Sequence, residues 1–306
     1  MFTVVFTNVL TMLLFLSFGF VLVKVRKGES SHAKSFSGFL IYVCSPAMMI
    51  SAFQSMEYSL DNLQKIGTFF LVTLTVQLLF FLAFYALLRK KFDNAKYRIL
   101  TASALFGNVG FFGMPLVTAL FPNESVVACY STMFTTSMNF LVFTVGVFLI
   151  TNDRRYISPK AALLNPTTLS VLAALPLYLL QIHFPAQLND TVALLGKMTT
   201  PLCMLILGMR LASVSLKNLF TRPFAYVVCL LKLLVFPLFT FLCVRFLPFF
   251  DTTFKVSLLV LCAAPSAAVI LSLAELHECE QELSANVTLL TTLLSIFTVP
   301  LILLIV

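Results

Sequence analysis

The chain has 306 residues, 60% of them hydrophobic and 10% charged, and its mean hydropathy is +1.01. A soluble domain carries about 25% charged residues, so the composition excludes one and predicts an all-α integral membrane protein with the lipid bilayer as its solvent. A net charge of +8 would suit nucleic acid, but the basic residues sit between apolar runs, so they report membrane topology and nucleic acid is not expected as a partner.

In chain order, the apolar runs predict spans near residues 4–23, 36–56, 66–88, 98–121 and 125–150, then 166–184, 190–212, 223–247, 255–275 and 283–306. The first begins Met1-Phe2-Thr3-Val4 with no basic lead, so it is read as a span and not as a removed signal peptide. Connections 1–2, 3–4, 5–6 and 7–8 hold fifteen of the twenty Lys and Arg residues, among them Lys24, Arg98, Arg154, Arg210 and Lys217. Lys65, Lys197, Arg245 and Lys255 fall on the other side, and Lys232 lies inside the eighth span. This asymmetry predicts cytoplasmic basic loops, with both termini outside the cell membrane. The 9–10 connection carries Glu275, Glu278, Glu280 and Glu282, and acidic residues weigh little in that rule.

Two spans are interrupted at their centres. The fourth holds Gly107-Asn108-Val109-Gly110-Phe111-Phe112-Gly113-Met114-Pro115 and the ninth holds Ala263-Ala264-Pro265-Ser266-Ala267. Glycine and proline free backbone groups that lipid cannot satisfy, so such breaks belong where protein or a water-filled cavity surrounds them. Breaks at matching places in two halves point to a transporter's binding site. At a shift of about 155 residues, Cys44-Ser45-Pro46 matches Thr199-Thr200-Pro201, Tyr97-Arg98 matches Phe254-Lys255, and Asn108 falls on Pro265. Five spans per copy is odd, so the second copy is inverted: residues 1–150 form one five-helix repeat and 166–306 the other.

The candidate substrate-binding residues follow from the breaks. Gly110, Gly113 and Pro115 shape the first, and Asn108 offers donors and acceptors at that depth. A half-helix starting there points free N–H groups and a positive dipole end inward, which suits an anion. Pro265 and Ser266 lie opposite. Lys232 is about 15 Å from its end of the eighth span at 1.5 Å per residue, and Gln77 occupies the matching place in the third. Lys232 either lines the site or ties down carbonyls freed by a break. Asn139 either binds substrate or joins two helices. Pro46 and Pro201 are matched helix kinks. Arg210 reads as an interfacial charge, and Glu275 as a helix-end carboxylate or a proton-coupling group. No catalytic constellation, metal-ligand spacing or cofactor motif emerges: His32, His183 and His277 are scattered, and the seven cysteines show no framework.

These residues resemble the auxin efflux carrier family. Asn108 to Pro115 resembles its fourth-span motif, Thr200 to Met209 its seventh-span signature, Lys232-Leu233-Leu234-Val235-Phe236-Pro237 its eighth span, Ala264-Pro265-Ser266-Ala267 its ninth, and Leu293 to Pro300 its tenth. The short 5–6 connection is similar to the bacterial branch and unlike the plant carriers with their long loop. The resemblance implies ten spans in two inverted halves, with broken fourth and ninth helices crossing near their prolines. It implies a scaffold of spans 1, 2, 6 and 7 (about 4–56 and 166–212), dimeric in the family, and a transport domain (about 66–150 and 223–306) moving as an elevator. The implied substrates are small organic anions such as malonate, malate or auxin-like acids. Arg210 departs from the small polar residue expected after Gly208-Met209. The rival readings are a sodium-coupled symporter of the bile-acid type and a non-transporting sensor on the same fold.

Overall fold

The structure is a computed structural model that describes residues 1–214 and 216–305, and the chain is helical throughout. The side chain of Lys217 and the end of the tenth predicted span, Val306, lie outside the described residues. The helices are α1 (Phe2–Lys24), α2 (Ala33–Gln54), α3 (Leu60–Leu88), α4 (Ala95–Leu105), α5 (Val109–Leu120), α6 (Val126–Thr151), α7 (Pro166–Leu179), α8 (Ala186–Ser213), α9 (Pro223–Arg245), α10 (Thr252–Cys262), α11 (Ala268–Leu276) and α12 (Gln281–Ile302). Among the described residues, eight helices are long and apolar enough to cross a bilayer, α7 counting the short turns that lead into it from Arg154. The predicted fourth and ninth spans are each two shorter helices laid end to end, α4–α5 and α10–α11.

Most boundaries fall within a few residues of the sequence reading, and the exceptions have local causes. α3 starts at Leu60 and not near 66, because Ser59 Oγ accepts the Asn62 N–H at 3.0 Å and Asp61 pairs with Lys65 at 2.8 Å across one turn. Polar residues that look like a loop are the capped first turns of a helix. α10 starts at Thr252 for the same reason, with Asp251 Oδ1 accepting the Phe254 N–H at 2.7 Å. α7 stops at Leu179, short of 184, where Gln181 adopts φ 52, a left-handed conformation no helix continues through. Arg98 belongs to no loop. It is buried in α4, donating from Nε to the Leu149 carbonyl at 2.9 Å and from Nη1 to the Phe92 carbonyl.

Widened π turns precede three prolines: Leu40–Cys44 before Pro46, Val109–Gly113 before Pro115 and Leu231–Val235 before Pro237. Proline lacks the N–H for the preceding turn and crowds its carbonyl, so the ladder loosens there. α8 is interrupted at Met198, just ahead of Pro201. The core gathers around α6, the most buried of the long helices: Tyr130 stacks on Phe69 of α3 at 4.3 Å and meets Phe254 of α10 edge-on at 5.5 Å. α1 and α3 expose apolar stripes such as Leu10, Leu14, Phe18 and Leu71, Leu79, Leu82, as helices facing lipid do. α1 and α8 approach so closely at Gly19 and Gly208 that backbone touches backbone.

Candidate functional site

The two breaks meet. Asn108 N–H donates to the Pro265 carbonyl at 2.7 Å and Ala267 N–H to the Phe106 carbonyl at 3.0 Å, so Gly107 and Ser266 form an isolated antiparallel bridge. Side chains take up further freed groups. Ser266 Oγ donates to the Ser103 carbonyl at 2.8 Å, Ser131 Oγ to the Val109 carbonyl at 3.1 Å, and Lys232 Nζ to the Cys262 carbonyl at 3.1 Å. Thr291 Oγ1 accepts the Ser266 N–H at 3.1 Å. This satisfies irregular backbone at a depth where water is not at hand. The N–H groups left over include those of Gly110 and Phe111 in the first turn of α5 and of Ala268 and Val269 in the first turn of α11. None of the four donates to a group among the described residues.

All four residues line one cavity of about 200 Å³. Asn108 enters it with its side chain almost wholly buried, its Nδ2 within 3.8 Å of Cys203 Sγ. Thr135 and Asn139, one turn apart on α6, and Cys203, Ile206, Leu207 and Arg210 on one face of α8 complete the walls. Arg210 is the one charged side chain among the described lining residues, and its Nη1 is 3.0 Å from Glu275 Oε1. Two helix N-termini with unfilled donors, an amide and a guanidinium form a surface that attracts negative charge.

A second cavity of about 370 Å³ lies further along α5, lined by Asn8 and Thr11 of α1, Ser55 of α2, Pro115 and Thr118 of α5, and Lys197 of α8. Between the two runs a thin septum, where Thr200 Oγ1 donates to the Phe111 carbonyl at 2.9 Å and Met48 packs against Gly110 and Gly196.

A family profile described as "Membrane transport protein" matches residues 4–161 and 155–303, which is nearly the whole chain. The chain belongs to this family, that of the auxin efflux carriers. It is therefore a multi-pass membrane transport protein. A comparison with curated proteins found no match.

Measured against the family expectation, the structure separates the sequence-predicted site residues. Asn108, Gly110 and Asn139 line the cavity at the crossing. Pro115 lines the second cavity. Gly113 packs against Leu261, and Pro265 and Ser266 hold the bridge with their own groups engaged; none of the three lines either of these two cavities. Lys232 is fully buried behind the crossing, its Nζ on the Cys262 carbonyl and 4.6 Å from the Phe236 ring, which is the carbonyl-tying alternative of the sequence reading. Gln77 is also fully buried, donating to the Thr73 carbonyl at 2.9 Å and to Ser137 Oγ at 3.1 Å. Pro46 and Pro201 follow the irregular turns in α2 and α8. The sequence reading missed Thr135, Cys203 and the cavity position of Arg210. A usable signal existed: Cys203, Ile206, Leu207 and Arg210 recur at helical spacing on one face, with the charge at its end.

Proposed function

We propose that the chain carries small organic anions, dicarboxylates or auxin-like acids, across the cell membrane by alternating access. The observation that carries this reading is the pair of helix N-termini, α5 and α11, that open unfilled N–H groups into one cavity beside Asn108. A substrate carboxylate is held at the crossing by the Gly110 and Phe111 N–H groups and by Asn108, with the α11 terminus facing it. The two cavities on either side of the Thr200–Phe111 septum support alternating access, the transport domain (α3–α6 and α9–α12) sliding past a scaffold of α1, α2, α7 and α8. In this reading the basic connections face the cytoplasm, both termini are outside, and two copies pair through the scaffold. The test is uptake of labelled malonate and indole-3-acetate into proteoliposomes. Asn108→Ala abolishes transport while expression and folding stay intact, and unchanged uptake in that variant overturns the site.

A further inference from the structure

We propose that Arg210 is an anion-binding residue of this cavity, occupied by Glu275 when substrate is absent, so that the ion pair is a latch which substrate releases.

The geometry comes from two helix faces. On α8, Cys203, Ile206, Leu207 and Arg210 line the cavity in succession. On α11, Ala268, Val269 and Ser272 do so, and Glu275 follows Ser272 by three residues on the same face. The two faces start at the crossing, where Asn108 touches Cys203, and end at the Arg210–Glu275 pair. Seven residues separate Cys203 from Arg210, about 10 Å at 1.5 Å per residue. Arg210 nonetheless borders the same cavity as Asn108.

Arg210 has donors to spare. A guanidinium carries five N–H groups in a fixed fork, and one nitrogen, Nη1, is engaged with Glu275. Its side chain is 20% exposed against 46% for Glu275, so the cation is set in the wall and its partner approaches from the open side. A half-exposed pair of this kind is weak, weak enough for an entering carboxylate to exchange with Glu275 on the same fork. Glu282, another acid of the same connection, pairs with Arg222 at 2.6 Å.

The pair also joins the two moving parts. On the domain division above, Arg210 belongs to the scaffold and Glu275 to the transport domain. Substrate that takes Arg210 frees α11 from α8, and release of substrate lets the pair re-form. Charge recognition and the freedom to move thus meet in one residue.

This inference rests on the organic-anion reading, and the experiment separates the two. Binding of malonate to the purified full chain is measured by calorimetry for the wild type, Arg210→Gln, Glu275→Gln and the double variant. Glu275→Gln removes the competitor and lowers Kd about fivefold, which is about 1 kcal/mol at 1.4 kcal/mol per tenfold. Arg210→Gln raises Kd at least tenfold, and the double variant matches Arg210→Gln alone because Glu275 acts through Arg210. A pair with only a structural role moves both single variants in the same direction or in neither, and that result overturns the proposal. Should Arg210→Gln fail to fold, Glu275→Gln is compared with Glu278→Gln, a neighbouring acid that does not pair with Arg210, and equal tightening in the two overturns the proposal. A wild type that binds neither malonate nor succinate, acetate or indole-3-acetate refutes the organic-anion reading itself.

Discussion

The contact between α1 and α8 gives the sharpest quantitative prediction. A Cβ added at Gly208 would stand 1.9 Å from the Leu16 carbonyl oxygen and 2.9 Å from the Phe20 nitrogen, and one at Gly19 would stand 2.1 Å from the Leu205 carbonyl oxygen. These are backbone atoms on packed helices, so no change of rotamer relieves the overlap. A carbon–oxygen contact needs roughly 3.3 Å, so the helices must part by more than about 1 Å. A gap of that size forfeits a quarter to a half of the dispersion energy of each atom pair, at ~0.1–0.2 kcal/mol per pair. Over an interface of some tens of pairs, Gly208→Ala costs about 3 kcal/mol, the upper end of the overpacking range. That corresponds to a fall in Tm of roughly 5 °C for a chain of this length. Gly67→Ala is the control: nothing lies within 4 Å of its Cβ position in α3, so alanine leaves Tm unchanged or raises it. The chain has no tryptophan, but five of its seven cysteines are buried, so a thiol-reactive dye reports thermal unfolding of the detergent-purified protein. Equal unfolding temperatures for Gly208→Ala and Gly67→Ala would refute the close approach.

Two further predictions concern buried cations that lie outside the cavity. Lys232→Met leaves the Cys262 carbonyl without its donor and lowers stability by about 1–3 kcal/mol, yet Kd for malonate stays within about threefold because Lys232 stands behind Gly107 and is not itself a lining residue; a large loss of affinity with an unchanged Tm would return Lys232 to the binding site. Arg98→Met removes the donors to the Leu149 and Phe92 carbonyls that pin the start of α4 to the end of α6; we expect a loss of about 1.5–3 kcal/mol by the same dye assay, and an unchanged Tm would show that this network carries no stability.

The sequence by itself determined what depends on neighbours along the chain. Apolar runs long enough for a bilayer gave the spans, and Gly107 to Pro115 with Ala263 to Ala267 gave the breaks, because a missing N–H or Cβ acts on the adjacent turn wherever the helix goes. The capped starts at Ser59 and Asp251 went unread, although each is carried by residues only three positions apart. Tertiary structure alone decided which of several polar residues at one depth share a cavity. Lys232 and Arg210 each sit in an apolar helix, and the deeper of the two looked like the binding residue. The fold turned Lys232 onto a backbone carbonyl behind the crossing and set Arg210 in the wall. That choice rests on how α8 and α9 are set against the crossing, which is fixed by contacts between residues far apart in sequence, such as Gly208 of α8 against Leu16 and Lys232 of α9 against Cys262.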